Sequence, residues 1–291
     1  MHRLCLFLVA ALPLLAQQPA PAKRSGRIAT PPPTQPPLQA ADPAKLPEGV
    51  QHLDLFLLLG QSNMKGRGVM PAEPKRDPRL LMLHLRDDRW YLARHPLHLT
   101  GDAQTFAGHD NAGVGPGLAF AEQVLGEKTA IGLVPCAVGG SSIQLWQKGA
   151  KLYENAVRRA RLALQGAPGK VRLRGALWLQ GEANARAEDL PLHAERLRAL
   201  VTDLRADLGL PDLPFIACTI GEMNEDPARR ADQQAMNEIL LALPAAVPGT
   251  ACVDARDLRS HIGDRVHFDT AAQEEIGRRM AKAWQKLAAG R

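Results

Sequence analysis

Two segments of the chain carry residue types that could perform nucleophilic catalysis. Residues 53–68 read LDLFLLLGQSNMKGRG, an apolar run that leads straight into Gly60-Gln61-Ser62. Residues 264–267 read DRVH, with Asp264 three positions before His267. A serine hydroxyl is a weak nucleophile until a base takes its proton. His267 suits that task because imidazole changes charge near neutral pH. Asp264 could bond the ring nitrogen facing away from Ser62, fixing the tautomer and stabilising the imidazolium. A tetrahedral intermediate also needs hydrogen-bond donors. The sequence offers the N–H of Ser62, the N–H of Gly140 in Gly139-Gly140-Ser141, and the side-chain amide of Gln180 in Gln180-Gly181-Glu182. Losing one such donor typically costs about 10²–10³ in turnover. Each motif alone is weak, since an isolated GQS or DxxH is more often an ordinary turn. The signal lies in their common placement.

That placement follows from the elements around them. Apolar runs predict strands at 53–59, 79–84, 129–134, 173–179, 214–219 and 250–254. Amphipathic stretches predict helices at 115–126, 151–165, 190–207, 229–243 and 270–288. In the last helix Ile276, Met280, Ala283, Trp284 and Leu287 recur at helical spacing. Thr270 with Gln273 fits a capping box at its start, with Asp269 as a second cap candidate. Near-continuous apolar strands alternating with helices indicate a three-layer α/β fold with a mostly parallel sheet. Segment 79–98, with Trp90 and Tyr91, is less regular and suggests a hairpin or insertion near the rim. In such sheets ligands collect at the carboxyl ends of the strands. Ser62, Gly140, Gln180 and the Asp264–His267 loop all follow predicted strands and so share that edge.

Composition bounds the rest. The chain has 291 residues, 45% apolar and only 4% aromatic, so Leu, Ala, Val and Ile must build the core. Its net charge of +6 is spread among acids, as around Arg158, Arg159, Arg161, Arg172 and Arg174, which favours a solvated surface over nucleic-acid binding. Residues 1–22 read as an export signal: His2 and Arg3, then an apolar run to Ala16, with cleavage after Ala16 or Ala22. The run is shorter than the roughly 20 residues a membrane span needs, so no span is expected once the signal is removed. Nine prolines between Pro19 and Pro47 mark 23–49 as an extended, disordered tether, with the folded domain from about Val50 to 291. Cys136, Cys218 and Cys252 would remain after cleavage and read as small buried thiols. No CxxC pair occurs. His84, His95 and His98 match no metal-ligand spacing. Gly113, Gly115 and Gly117 are too loosely arranged for a phosphate loop.

Taken together, GQSNM with Gly66, GGSSIQLW, WLQGEANA and DRVHFD resemble the SGNH (GDSL-like) hydrolases. They are most similar to the branch holding sialate O-acetylesterases and acetylxylan esterases. NAGVGPGLAFA (111–121) and the region from Arg230 to Gln234 are also similar, so the resemblance spans about residues 51–290. It implies a flavodoxin-like sheet of about five parallel strands and no required metal or other cofactor. It also implies Ser62 as nucleophile, Gly140 and Gln180 as oxyanion partners, and Asp264 with His267 as the rest of a triad. One departure is visible: the motif often continues with a small residue and Asp, where this chain has Ala183-Asn184. Gln61 and Glu182 are expected as supporting residues, Glu182 either bracing nearby amides or competing with Asp264 for the histidine. Trp146 could line the acyl or sugar pocket or pack against the following helix; Trp178 reads as core. The expected activity is that of a periplasmic or secreted carbohydrate O-acetylesterase acting on an acetylated saccharide. The rivals are a non-catalytic carbohydrate-binding module on the same fold, and a lipase- or thioesterase-like hydrolase.

Overall fold

Strand β1 (His52–Gly60) is buried at every residue after His52, and its side chains separate by parity. Leu53, Leu55, Leu57 and Leu59 pack into one core layer with Tyr153, Val157, Leu197 and Leu200. Phe56 and Leu58 point the other way, onto Phe120, Ile276, Met280 and Trp284. A strand covered on both faces alternates between two cores rather than between core and water. Each side chain of this size, fully buried, contributes roughly 1.5–3 kcal/mol relative to exposure. The computed structural model describes residues 35–74, 76–166 and 170–290. The export signal expected at 1–22 and the start of the tether lie outside the described residues.

Around β1 the sheet contains β2 (Leu80–Leu83), β3 (Trp90–Leu92), β4 (Thr129–Pro135), β5 (Val171–Leu179), β6 (Phe215–Cys218) and β7 (Thr250–Val253). Their order is β3-β2-β4-β1-β5-β6-β7. All neighbours are parallel except β2 and β3, which pair antiparallel with Leu81 opposite Leu92 and Leu83 opposite Trp90. The seven strands exceed the expected five or so because the irregular 79–98 segment forms this hairpin and extends the sheet. Helices α2 (Pro116–Val124) and α7 (Thr270–Ala289) cover one face. Helices α3 (Lys151–Gln165), α4 (Leu190–Leu208), α5 (Pro227–Leu241) and the short α6 (Leu243–Ala246) lie on the other. This three-layer α/β arrangement is the one the alternation of elements predicted. After β1 the chain lays down β2 and the edge strand β3, returns inward to place β4 beside β1, then crosses to β5 on the other side. The topological switch therefore falls at the carboxyl end of β1, where open α/β sheets bind ligands.

Three local expectations are corrected. Residues 35–49 are packed on the domain rather than hanging as a tether: Leu38 is 3% exposed, and Ala41 and Leu92 N–H groups donate to Trp90 O and Gln39 O at 2.9 Å. The edge strand β3 offers unpaired backbone groups, and this extended stretch satisfies them. Helix α7 is capped by the second candidate, Asp269, whose carboxylate accepts from the Ala272 N–H, in place of a Thr270–Gln273 box. Thr270 Oγ1 instead donates to Val69 O. Helix α5 begins at Pro227, two residues before the expected start, behind an Asp226 cap bonded to the Ala228 N–H. Proline at the first helical position loses only an N–H that had no partner anyway.

Candidate active site

The nucleophile turn starts with a backbone that only glycine accepts easily. Gly60 has φ +125°, and a Cβ there would stand 2.2 Å from Leu179 O. The chain thus turns sharply while pressed against β5. Gln61 holds the turn from the other side: its N–H donates to Leu179 O, and its Oε1 accepts from the Ala183 N–H. Ser62 then opens the short helix α1 (Ser62–Lys65), so its own N–H has no acceptor inside the helix.

His267 reaches this turn from a tight loop. His261 and Phe268 form a bridge, and the Ile262 N–H donates to His267 O. Asp264 Oδ1 accepts from the N–H groups of Val266 and His267 at 3.0 and 2.9 Å. Its Oδ2 lies 2.6 Å from His267 Nδ1. A carboxylate can only accept, so Nδ1 carries the proton and Nε2 is left as the acceptor. Ser62 Oγ lies 2.8 Å from that Nε2. The structure thus brings Ser62, His267 and Asp264 into one continuous hydrogen-bonded chain. Glu182, the rival partner for the histidine, bonds Asn63 Nδ2 instead.

The other expected residues divide. Gly140, at φ +72°, lies on the exposed loop after β4, which is anchored by the Val138 N–H on Gly60 O. A Cβ built on the adjacent Gly139 would come 3.8 Å from Ser62 Cβ, so this loop overhangs the nucleophile. Gln180 is corrected: it is fully buried, and its amide nitrogen donates to Ser141 O at 3.3 Å and Asn184 Oδ1 at 2.7 Å. Both its hydrogens are engaged, so it fastens the overhanging loop to β5. Trp146 is also corrected. It is 0% exposed, its Nε1–H donates to Ser141 Oγ, and its ring meets Trp178 edge-on at 5.4 Å. It sits on a 3₁₀ turn, Ile143–Trp146, where positions three apart eclipse, so Ile143 and Trp146 turn inward together. Asn184 is buried and accepts from the Ile143 N–H while donating to Gln144 Oε1. An aspartate there could not make that donation. Cys136, Cys218 and Cys252 are free thiols.

Two side chains that the motifs contained but did not single out also belong here. Asn63 is buried between the nucleophile turn and the histidine loop. Arg67 donates through Nη1 to Asn111 O, while its Nε is buried without a partner. Its Nη2 would be 3.1 Å from a Cβ on Gly139, beside Ser62. The signal available in the sequence was a polar residue and a cation placed within seven positions of a strand end.

The ionisable groups are held in opposite directions. Burial alone would raise the Asp264 carboxyl, but hydrogen bonds from the His267 ring and from the His267 and Val266 N–H groups outweigh it and hold it below its ordinary value. Burial pulls the Arg67 guanidinium down, with Asp110 and Asp264 pushing back. Burial also pushes the Glu182 carboxyl up, against the Asn63 hydrogen bond, and its Oε2 is enclosed with no partner. A carboxyl raised in the folded state binds its proton more tightly folded than unfolded. That contribution is therefore complete below the unfolded carboxyl range and is lost as pH rises through the raised value. Glu182→Gln removes the titration, so its melting temperature relative to the parent is expected to climb from about pH 4 towards neutrality. Paired thermal melts across that range check the sign, and a difference independent of pH would contradict it.

The comparisons with known proteins point to one family. The sequence model of the carbohydrate esterases described as sialic acid-specific acetylesterase matches residues 52–286. A probable carbohydrate esterase of Arabidopsis thaliana is 33% identical over 252 residues, spanning 79% of this chain and 89% of the relative. The X-ray structure of an Arabidopsis thaliana protein, 32% identical, superposes with a TM-score of 0.68 over 80% of this chain and 98% of that one. The crystal structure of NanS shares the fold at 18% identity, with a TM-score of 0.66 over 83% and 99% of the two chains. So does a carbohydrate acetylesterase from Xanthomonas citri at 22% identity, with a TM-score of 0.52 over 82% of this chain and 57% of that one.

Proposed function

Because the chain belongs to the carbohydrate esterase family described as sialic acid-specific acetylesterase, we propose that it removes O-acetyl groups from sugars through an acetyl-enzyme on Ser62, acting outside the cytoplasm. That it is a carboxylic ester hydrolase follows from the family and from the Arabidopsis relative. The observation that carries the finer reading is the unbroken chain from Ser62 Oγ through His267 to Asp264.

In this reading His267 Nε2 takes the Ser62 proton as Oγ attacks the ester carbonyl. The carbonyl oxygen becomes an oxyanion received by the Ser62 and Gly140 N–H groups. The imidazolium, stabilised by Asp264, returns the proton to the sugar oxygen as the C–O bond breaks. Water then repeats the sequence on the acetyl-enzyme, releasing acetate and restoring the Ser62 hydroxyl. Gln61 and Gln180 hold the two donor loops in place. Ser62 is only 3% exposed, which favours an acyl group as small as acetyl. Export is supported by the charge and apolar run of residues 2–16. Among the described residues no helix is long and apolar enough to cross a membrane.

Arg67 supports a sugar that itself bears a carboxylate, since its guanidinium lies against the Gly139 loop beside the nucleophile with its Nε making no hydrogen bond, and a guanidinium matches a planar anion. The test is acetate release from a panel of O-acetylated sugars, carboxylated and neutral. Arg67→Met is expected to lower the preference for carboxylated over neutral substrates by roughly 10–100-fold, the worth of a charged hydrogen bond. No acetate from any acetylated sugar would defeat the activity; an unchanged preference would defeat the role of Arg67 alone.

A further inference from the structure

We propose that Asn63 is the positioning residue that sets the register of His267 against Ser62, by gripping the peptide groups on both sides of the imidazole. This rests on the hydrolase reading above. Asn63 is 0% exposed. Its Nδ2 donates to Val266 O at 3.1 Å and to Glu182 Oε1. Its Oδ1 accepts from the Phe268 N–H at 3.1 Å and from Gln273 Nε2 at 3.3 Å. The amide is thereby used to capacity, with two donations and two acceptances. Val266 and Phe268 flank the base, and Asn63 follows the nucleophile directly. One side chain therefore fixes a distance between groups that lie 205 positions apart in the chain.

Among the described residues the other restraints on the histidine loop are of another kind. The His261–Phe268 bridge, the His261 Nδ1 contacts with the Gly263 and Arg265 N–H groups, and the Asp264 turn fix the shape of the loop, and Arg265 pairs with Glu225 just ahead of α5. None of these bonds ends on the nucleophile turn. Glu182 sets the polarity of the clamp. Exchanging the oxygen and nitrogen of Asn63 would face its oxygen towards Glu182 and Val266 O, and its nitrogen towards the Phe268 N–H. The carboxylate makes that arrangement untenable, so the amide has one orientation.

The experiment exchanges the polarity of the pair. Asn63→Asp keeps the acceptor for Phe268 and loses both donations. With an aryl acetate its kcat is expected to fall about 10²-fold with KM changed less than about threefold, the effect of a misplacement on the order of 1 Å. The rate at which a serine-reactive phosphonate labels Ser62 should fall in parallel. The double variant N63D/E182Q restores a donor opposite an acceptor and is expected to recover about tenfold of the loss, which a general loss of stability would not produce. If Asn63→Asp gives no folded protein, Glu182→Ala decides, with an expected fall in kcat of about tenfold from the unoriented amide. A folded Asn63→Asp with parental kcat, a double variant with no recovery, or an unaffected Glu182→Ala would each overturn the proposal. Wild-type protein that neither hydrolyses the ester nor labels at Ser62 would overturn the hydrolase reading as well.

Discussion

Ser62→Ala is expected to lower kcat for acetyl-ester hydrolysis by about 10⁵–10⁶ while leaving the protein folded, as for loss of the nucleophile in a serine hydrolase. The two parts of that statement have separate causes. The fall follows because His267 Nε2 would have no hydroxyl 2.8 Å away to activate, and no other serine or cysteine replaces it on the ring. The fold should persist because among the described residues Oγ makes one hydrogen bond, to a ring that can turn to water, and alanine is a good helix former at the start of α1. The residual rate should stay above that in water, because the substitution leaves in place the backbone N–H groups at positions 62 and 140 that are proposed to receive the oxyanion. Steady-state kinetics with circular dichroism and a melting curve measure both parts. A folded Ser62→Ala protein with parental turnover would end the acetyl-enzyme mechanism.

How far the site could be read in advance depended on whether a residue's role is local. The strand that delivers Ser62 is an unbroken apolar run, and Gly60 marks the one place where it can turn. Asp264 and His267 are close enough in sequence for a single loop to join them. Those features are written in neighbouring residues, and so was the alternation that gives the three-layer sheet. Gln180 and Trp146 differed because their orientation is decided by distant partners. The carbonyls of Ser141 and of the Asn184 side chain take the two Gln180 hydrogens, and the ring of Trp178 draws Trp146 inward. Asn63 stood in plain view inside GQSNM, yet its four partners come from three other stretches of chain. Residues 35–49 carry a disordered composition, and they are held by partners distant in sequence: the open edge of β3, the Ala103 carbonyl and Arg94. Local chemistry was legible, whereas the allocation of scarce hydrogen-bond partners required the fold.

Asp264→Asn isolates the remaining member of the relay. The N–H groups of Val266 and His267 both need an acceptor, and Oδ1 supplies it at 3.0 and 2.9 Å. An asparagine would keep its carbonyl there, turning its NH₂ towards His267 Nδ1. A donor facing Nδ1 forces the ring proton onto Nε2, where it points at Ser62 Oγ. The imidazole would then be well placed but in the wrong tautomer, unable to accept the serine proton. For a buried aspartate this change costs about 10⁴ in kcat. The Asp264 side chain is 41% exposed, so water can partly compete for Nδ1, and the expected loss is on the order of 10³, with KM nearly unchanged. A second readout comes from the carboxylate itself. Against burial, hydrogen bonds from the His267 ring and from the His267 and Val266 N–H groups hold the Asp264 carboxyl below its ordinary range. Their contribution to stability is complete above the unfolded carboxylate range and is lost as pH falls through the lowered value. The asparagine variant lacks it, so its melting temperature relative to the parent should rise as pH falls below about 4. Steady-state kinetics with paired melts measure the loss and the sign together. A loss in kcat below about tenfold would take Asp264 out of the relay and leave the tautomer to be set elsewhere.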